Sequence, residues 1–221
     1  MQRLRIRFSR GEEIKFISHL DLMRCWERAL RRATVPLAYS EGFSPHPRIS
    51  LAAPLALGVT SEAELMDINV SRWVSPHWFT DGVSRQLPDG LKLIAVFPVA
   101  ATLPSLQSAV RLAEYRVEVE PKMDKTEAEA TVEHLLSLGE LPWRHLRDTG
   151  ERKYDLRALI EDLWVIEWSQ TSGTLGMTLR LLAHNCFWNA MVAAARDYTT
   201  TAKYEVQSMK YKGVDSGFRN T

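Results

Sequence analysis

Two histidines, His19 and His46, are the residues of this chain best suited to proton transfer or phosphate chemistry. His19 stands in F-I-S-H-L-D-L-M-R, where a helix should begin. His46 stands in S-E-G-F-S-P-H-P-R, two residues before Arg48. An unperturbed imidazole titrates near neutrality, so either ring could act as a general acid or base. An arginine beside it could hold the phosphate being attacked. We expect folding to gather His19, His46, Arg48 and a row of arginines into one electropositive neighbourhood.

The elements that must position them can be read from pattern. Ser18 is the expected N-cap of a helix over about 19–33, and Asp21 at its third position supplies a carboxylate version of the capping box. At about 100° per residue, Leu22, Met23, Trp26, Ala29, Leu30 and Ala33 share an apolar sector, with Arg24, Arg28, Arg31 and Arg32 opposite. His19 falls at the amino edge of the apolar sector. There it could meet a phosphate at the helix's free amides, or be a packed histidine bonded to a backbone carbonyl. In the loop, Pro45 and Pro47 hold His46 in stiff, extended backbone, and Gly42 supplies a turn.

Six histidines without ligand-type spacing, and Cys25 and Cys186 far apart, argue against a bound metal, an iron–sulfur cluster or a disulfide framework. No Walker loop and no G-x-G-x-x-G occurs, so no cofactor is expected. Ser18, His19 and Asp21 do not form a hydrolytic triad, because neighbouring helical positions point apart. The formal charge is only +1, but residues 1–60 hold ten Lys or Arg against five Asp or Glu. A local polyanion such as RNA suits that asymmetry, as does a solvated basic face. Arg3, Arg5 and Arg7 interrupt any leader-like apolar run, and no stretch approaches a membrane span, so a reducing cytoplasm is expected.

The order of elements predicts the fold. Residues 2–9 alternate, with Leu4, Ile6 and Phe8 on one face and Arg3, Arg5 and Arg7 on the other. Ile14 to Ile17 could extend that strand. The helix, a strand over 49–55, a strand over 64–70, a helix from Ser75-Pro76 to about Gln86 and a strand over 91–99 complete a βαββαβ, ferredoxin-like set. After a connector, strands near 115–119, 141–146, 164–170, 175–182 and 203–211, with helices over about 124–138 and 185–197, suggest a second set. The expectation is an α+β protein of two tandem ferredoxin-like halves, 1–100 and 112–212, with a tail at 213–221. The open sheet face of the first half would present Arg3, Arg5 and Arg7 to RNA, unless neighbouring Glu and Asp satisfy them.

F-I-S-H-L-D-L-M-R, E-R-A-L-R-R-A, G-F-S-P-H-P-R-I-S and P-L-A-L-G-V-T-S-E-A-E-L-M-D closely resemble the radical SAM-linked protein family, a bacterial domain found alone or fused behind a radical S-adenosylmethionine protein. Tyr154-Asp155-Leu156-Arg157 looks like a second block of that family. The resemblance implies Ser18, His19, Asp21 and Arg24 as one motif cluster, and Gly42, Pro45, His46, Pro47 and Arg48 as another. It also implies a radical enzyme as partner and a role in RNA modification or processing. The tandem order further resembles the endoribonucleases that process CRISPR repeat RNA. Three functions follow as expectations. The first is a non-catalytic accessory protein that binds RNA through Arg3, Arg5, Arg7, Arg24, Arg28, Arg31 and Arg48, or presents substrate to the radical enzyme. The second is a metal-independent endoribonuclease using His19 or His46, and the third is a protein-interaction scaffold.

Overall fold

The alternation of residues 2–9 becomes strand β1 (Gln2–Arg10), whose Leu4, Ile6 and Phe8 are completely buried. In the computed structural model, which describes residues 1–147, 150–180 and 204–212, the chain divides into two compact units, 1–110 and 111–212. The first continues through α1 (His19–Arg32), β2 (Ile49–Leu51), β3 (Ser61–Val70), α2 (Pro76–Ser84) and β4 (Leu91–Val99). Strand β1 pairs antiparallel with β3 and β4, and β2 pairs antiparallel with β3, so the sheet runs β4-β1-β3-β2. This is the ferredoxin-like arrangement of a βαββαβ unit.

One face of that sheet is roofed by the helices. Leu22, Trp26 and Leu30 of α1 and Phe79 and Val83 of α2 pack with Leu4, Ile6, Phe8, Met66 and Ile68 in a single cluster. Each large side chain buried there contributes roughly 1.5–3 kcal/mol. The Phe8 and Trp26 rings meet edge to face with centroids 4.9 Å apart, a contact worth a further ~1 kcal/mol. On α1 this buried stripe is the apolar sector expected from its sequence.

Helix α1 is tied at both ends. Ser18 Oγ accepts from the Asp21 amide at 3.1 Å, as a capping box requires. The reciprocal half differs, because the Asp21 carboxylate accepts the Ser18 hydroxyl at 2.7 Å instead of a backbone amide. At the other end Val35 N–H donates to Leu30 O and Thr34 N–H to Arg31 O, a Schellman closure. Its left-handed residue is Thr34, with φ 55°, where glycine or asparagine is usual.

The segment between β1 and α1 does not extend the strand. It forms a 3-10 turn over Glu12–Ile14, because the Arg10 side chain draws its carbonyls inward. Arg10 is 1% exposed and donates to the carbonyls of Lys15 at 2.7 Å, Ile17 at 2.9 Å and Ile14 at 3.3 Å. Strand β2 is shorter than its apolar run, ending at Leu51 ahead of Pro54, which has no amide to donate. Of residues 100–111, expected as a connector, residues 100–110 belong to the first unit. Their short helix α3 (Leu106–Ala109) lies against β2 and β3, with Leu106 buried and Gln107 donating to Leu51 O.

The second unit contains β5 (Leu112–Val119), α4 (Lys125–Ser137), β6 (Pro142–Arg147), β7 (Gly150–Asp155), β8 (Ile160–Trp168), β9 (Gly173–Arg180) and β10 (Tyr204–Lys212). Its main sheet runs β10-β5-β9-β8, all antiparallel, the same order as in the first unit. The expected helix over 185–197 and the tail at 213–221 lie outside the described residues. A complete capping box between Asp124 and Glu127 starts α4. Strands β6 and β7 form a separate hairpin that the ferredoxin-like plan does not require. Asp155 Oδ1 accepts from the amides of Leu141 and Arg157 at its base. Arg157 in turn donates to Leu136 O at the end of α4 and to Ile160 O. The Tyr154-Asp155-Leu156-Arg157 block thus works as a staple, with Leu156 fully buried.

Two stability measurements check this account. Arg10→Leu removes the donor to three carbonyls and the positive charge opposite buried Glu64, so urea unfolding should show a loss of about 3–5 kcal/mol. A loss under about 1 kcal/mol would contradict the clamp. Thr34→Asn keeps a polar side chain and tolerates positive φ, so it should raise stability by about 0.5–1 kcal/mol. An unchanged or lowered urea midpoint would contradict the strain at Thr34.

Candidate functional site

The two histidine motifs lie at opposite ends of the first sheet, which corrects the expectation of one shared hollow. His19 opens α1 beside the Arg10–Ser61 end, because the Arg10 guanidinium holds the carbonyls that lead into Ser18. His46 lies beyond the other end, where Asn69 N–H donates to Arg48 O and Arg48 N–H donates to Ala38 O. From Ser61 to Asn69, at about 3.3 Å per residue, the strand is roughly 26 Å long. A general acid and a general base must both reach one phosphate, so His19 and His46 cannot share a reaction centre.

The His46 loop is closed on itself. Ser40 N–H donates to His46 O at 2.9 Å, and His46 N–H donates to Ser40 Oγ at 3.1 Å. The same hydroxyl lies 2.9 Å from His46 Nδ1. Ser40 Oγ thus holds both the amide and the Nδ1 side of His46, which leaves Nε2 as the ring nitrogen open to a ligand. Gly42 at φ 125° turns the loop through a conformation that side chains disfavour, although open space surrounds it. Pro47 is buried at the base, while Pro45, His46 and Arg48 are exposed. At the tip Phe43 is wholly exposed.

Other segments are bonded to the same end. Ser71 donates to Pro36 O through both its amide and its hydroxyl. Gln2 exchanges two hydrogen bonds with the backbone of Val74. These ties fix the short turn carrying Arg72 and Trp73, and Trp73 is 74% exposed. Tyr39 is exposed beside the loop, and α1 ends here with Arg31 and Arg32. Arg31 lies 4.0 Å from Glu27, whereas Arg32, Arg48 and Arg72 make no ion pair among the described residues. Phe43, Tyr39, Arg72 and Trp73 are absent from the sequence-derived site. An aromatic residue inside a Gly/Pro loop was the available signal for Phe43.

The remaining arginines divide by what they already hold. Arg5 is 7% exposed and makes a bidentate pair with Asp67 at 2.8 and 3.0 Å. Arg3 donates to the carbonyls of Ala100 and Leu103, the segment leading to α3. Both are spent inside the first unit, so the sheet face expected to offer three arginines offers Arg7, which is exposed. Arg24 is paired with Asp21 at 3.1 Å, and Arg28 is exposed on α1. The hydrogen bonds from Ser18 and Arg24 hold the Asp21 carboxyl below its ordinary range.

At its own end His19 is half-buried, and its Nδ1 is shielded from water without a hydrogen-bond partner. The packed-histidine reading placed a backbone carbonyl on this ring, and no such bond forms at Nδ1. Burial pushes the imidazole below its ordinary value of 6.5. Among the described residues no three metal-ligating side chains converge. No helix among them is long and apolar enough to cross a membrane.

The His19 environment makes a pH prediction. A histidine with a depressed folded value takes up protons more readily when unfolded, so its contribution is intact above 6.5 and declines below it. Urea midpoints measured from pH 7.5 to 5 should therefore fall more steeply for the natural protein than for His19→Gln. Parallel curves would show that His19 is not desolvated.

No protein with a curated description matches the chain. Among solved structures it is similar to an unknown protein from Galdieria sulphuraria, with 13% identity over 93% of this chain and 97% of that one and a TM-score of 0.28. It is also similar to a chain in the structure of an H/ACA RNP bound to a substrate RNA containing 2'-deoxyuridine. That likeness has 7% identity over 96% of this chain and 47% of that one, with a TM-score of 0.40. At these scores neither likeness carries an argument about activity. Residues 3–203 match the family described as an uncharacterized protein conserved in bacteria (DUF2344), and the chain belongs to that family.

Proposed function

We propose that this protein is an accessory factor that binds single-stranded RNA at the His46 end of its first unit and presents it to a separate radical S-adenosylmethionine enzyme. The observation that carries the RNA reading is the pairing of exposed aromatics with unspent cations on a braced mount. Phe43, Trp73 and Tyr39 share one end of the sheet with Arg32, Arg48 and Arg72. Bases stack on aromatic faces while arginines track the phosphates, a combination that tolerates any sequence. The hydrogen bonds at Ser40, Ser71 and Gln2 order these segments before binding, so less entropy is lost on association. The radical enzyme rests on the resemblance at residues 16–67 and would supply the cluster chemistry for which this chain has no cysteine set.

A metal-independent ribonuclease is the second reading, favoured by the way Ser40 orients His46. It would use His46 alone, since His19 lies too far off to assist. Incubation of structured RNA with chelator separates the two readings. Intact RNA supports the accessory role, and cleavage lost in His46→Ala supports the enzyme.

Fluorescence anisotropy with a single-stranded RNA oligomer tests the binding site directly. Stacking is worth about 1–3 kcal/mol per base, so Phe43→Ala should weaken binding roughly 5- to 150-fold. Arg48→Ala and Arg72→Ala should each lower the salt slope by about 0.7. Absence of salt-dependent binding by the natural protein would remove the RNA reading.

A further inference from the structure

The second unit holds a cavity of about 570 Å³ between the start of α4 and the turn from β8 to β9. Trp168 is its main aromatic wall. The ring lies against Gly173 of the paired strand, where a Cβ would stand 2.6 Å from it, so a glycine is what leaves room for the indole. Trp168 Nε1 donates to Met123 O at 3.0 Å, which locks the ring's orientation. Pro121 and Met123 add further apolar surface, and the Thr131 hydroxyl lies 3.9 Å from the Met123 sulfur. An apolar wall held in place before any ligand arrives suits a planar ring.

Most of the polar groups around the cavity are already engaged. Asp124 Oδ1 and Glu127 Oε2 accept backbone amides in the capping box. The Ser169 hydroxyl donates to Ser172 O and accepts from the amides of Thr171 and Ser172. Lys122 and Lys125 balance the two carboxylates in formal charge, so the lining does not select a polyanion. Gln170 differs. It is exposed, it lines the cavity two residues beyond Trp168, and its carboxamide makes no hydrogen bond among the described residues. A carboxamide sets an acceptor beside a donor, so it matches an uncharged edge that also carries one of each.

We propose that this cavity is a binding site for an adenine base, stacked on Trp168 and read by Gln170. Adenine presents its N6 donor beside the N7 acceptor, and one glutamine bonds both. Guanine presents two acceptors on that edge, which leaves half of the carboxamide unmatched. The cavity's volume falls within the range of small-ligand sites. This assignment rests on none of the residues proposed to hold RNA in the first unit. The chemistry recognised is that of the base, whether it arrives as a free nucleoside or within a strand.

Isothermal titration of the full chain with adenosine and with guanosine tests the proposal. Adenosine should bind roughly 5- to 150-fold more tightly, the worth of one bidentate base contact. Gln170→Ala changes an exposed turn residue and should remove that preference. Trp168→Ala should weaken adenosine binding by a similar factor, and Gln170→Ala carries the test where the tryptophan variant does not fold. In nitrogen-15 spectra the Gln170 side-chain amide should shift as adenosine is added, and Phe43→Ala should leave that shift unchanged. Absence of saturable adenosine binding, or a preference that survives Gln170→Ala, would overturn the proposal. A Gln170 shift produced by oligoadenylate at lower concentration than by adenosine would identify the base as part of a strand, and the reverse order would identify a free nucleoside.

Discussion

Arg10 is the last residue of β1 and among the most deeply buried charged groups of the first unit, and its reach decides where the following segment can go. A guanidinium cut off from water needs its donors satisfied. Here three carbonyls between Ile14 and Ile17 meet that need. Burial pushes the group below its ordinary value, and the charge of Glu64 on the neighbouring strand opposes that shift. The consequence is local and mechanical. The chain cannot continue as a strand, Phe16 is turned outward, and Ser18 is placed to cap α1.

The arginines of the first unit illustrate how packing partitions a charge excess that composition reports as a single number. Arg3, Arg5 and Arg10 are consumed as internal donors, two to carbonyls and one to a carboxylate. Arg24 is balanced by Asp21. Of the arginines without an ion pair among the described residues, Arg32, Arg48 and Arg72 lie where α1 ends and β3 turns, while Arg7 and Arg28 are exposed elsewhere. One end of the sheet is therefore cationic and aromatic.

The second unit reaches the same strand order with different devices. Trp168 Nε1 donates to Met123 O just before α4, and Asp155 and Arg157 staple the additional hairpin to the end of that helix. Leu135, Leu138, Trp143 and Tyr154 pack around Leu141 and Leu156 to give the hairpin a small core of its own. A lone two-stranded hairpin is marginal in water, so this support is what keeps it formed.

Periodicity alone determined most of the architecture. The alternation of residues 2–9, the apolar stripe from Leu22 to Ala33, the cap at Ser18 and the capping box at Asp124 are local features, set by residues within a few positions of one another. The α+β class and the repeated βαββ order followed from them. Tertiary structure decided what the functional residues face. Arg5 and Arg7 are identical in the strand pattern, yet one meets Asp67 from β3 and the other meets solvent. His19 and His46 are close in the chain but are separated by the length of β3, because α1 and the loop after it carry the chain from one end of the sheet to the other. Side-chain spacing on an element is a local property, whereas the distance between two elements depends on long-range pairing, and that pairing exists only in the folded chain.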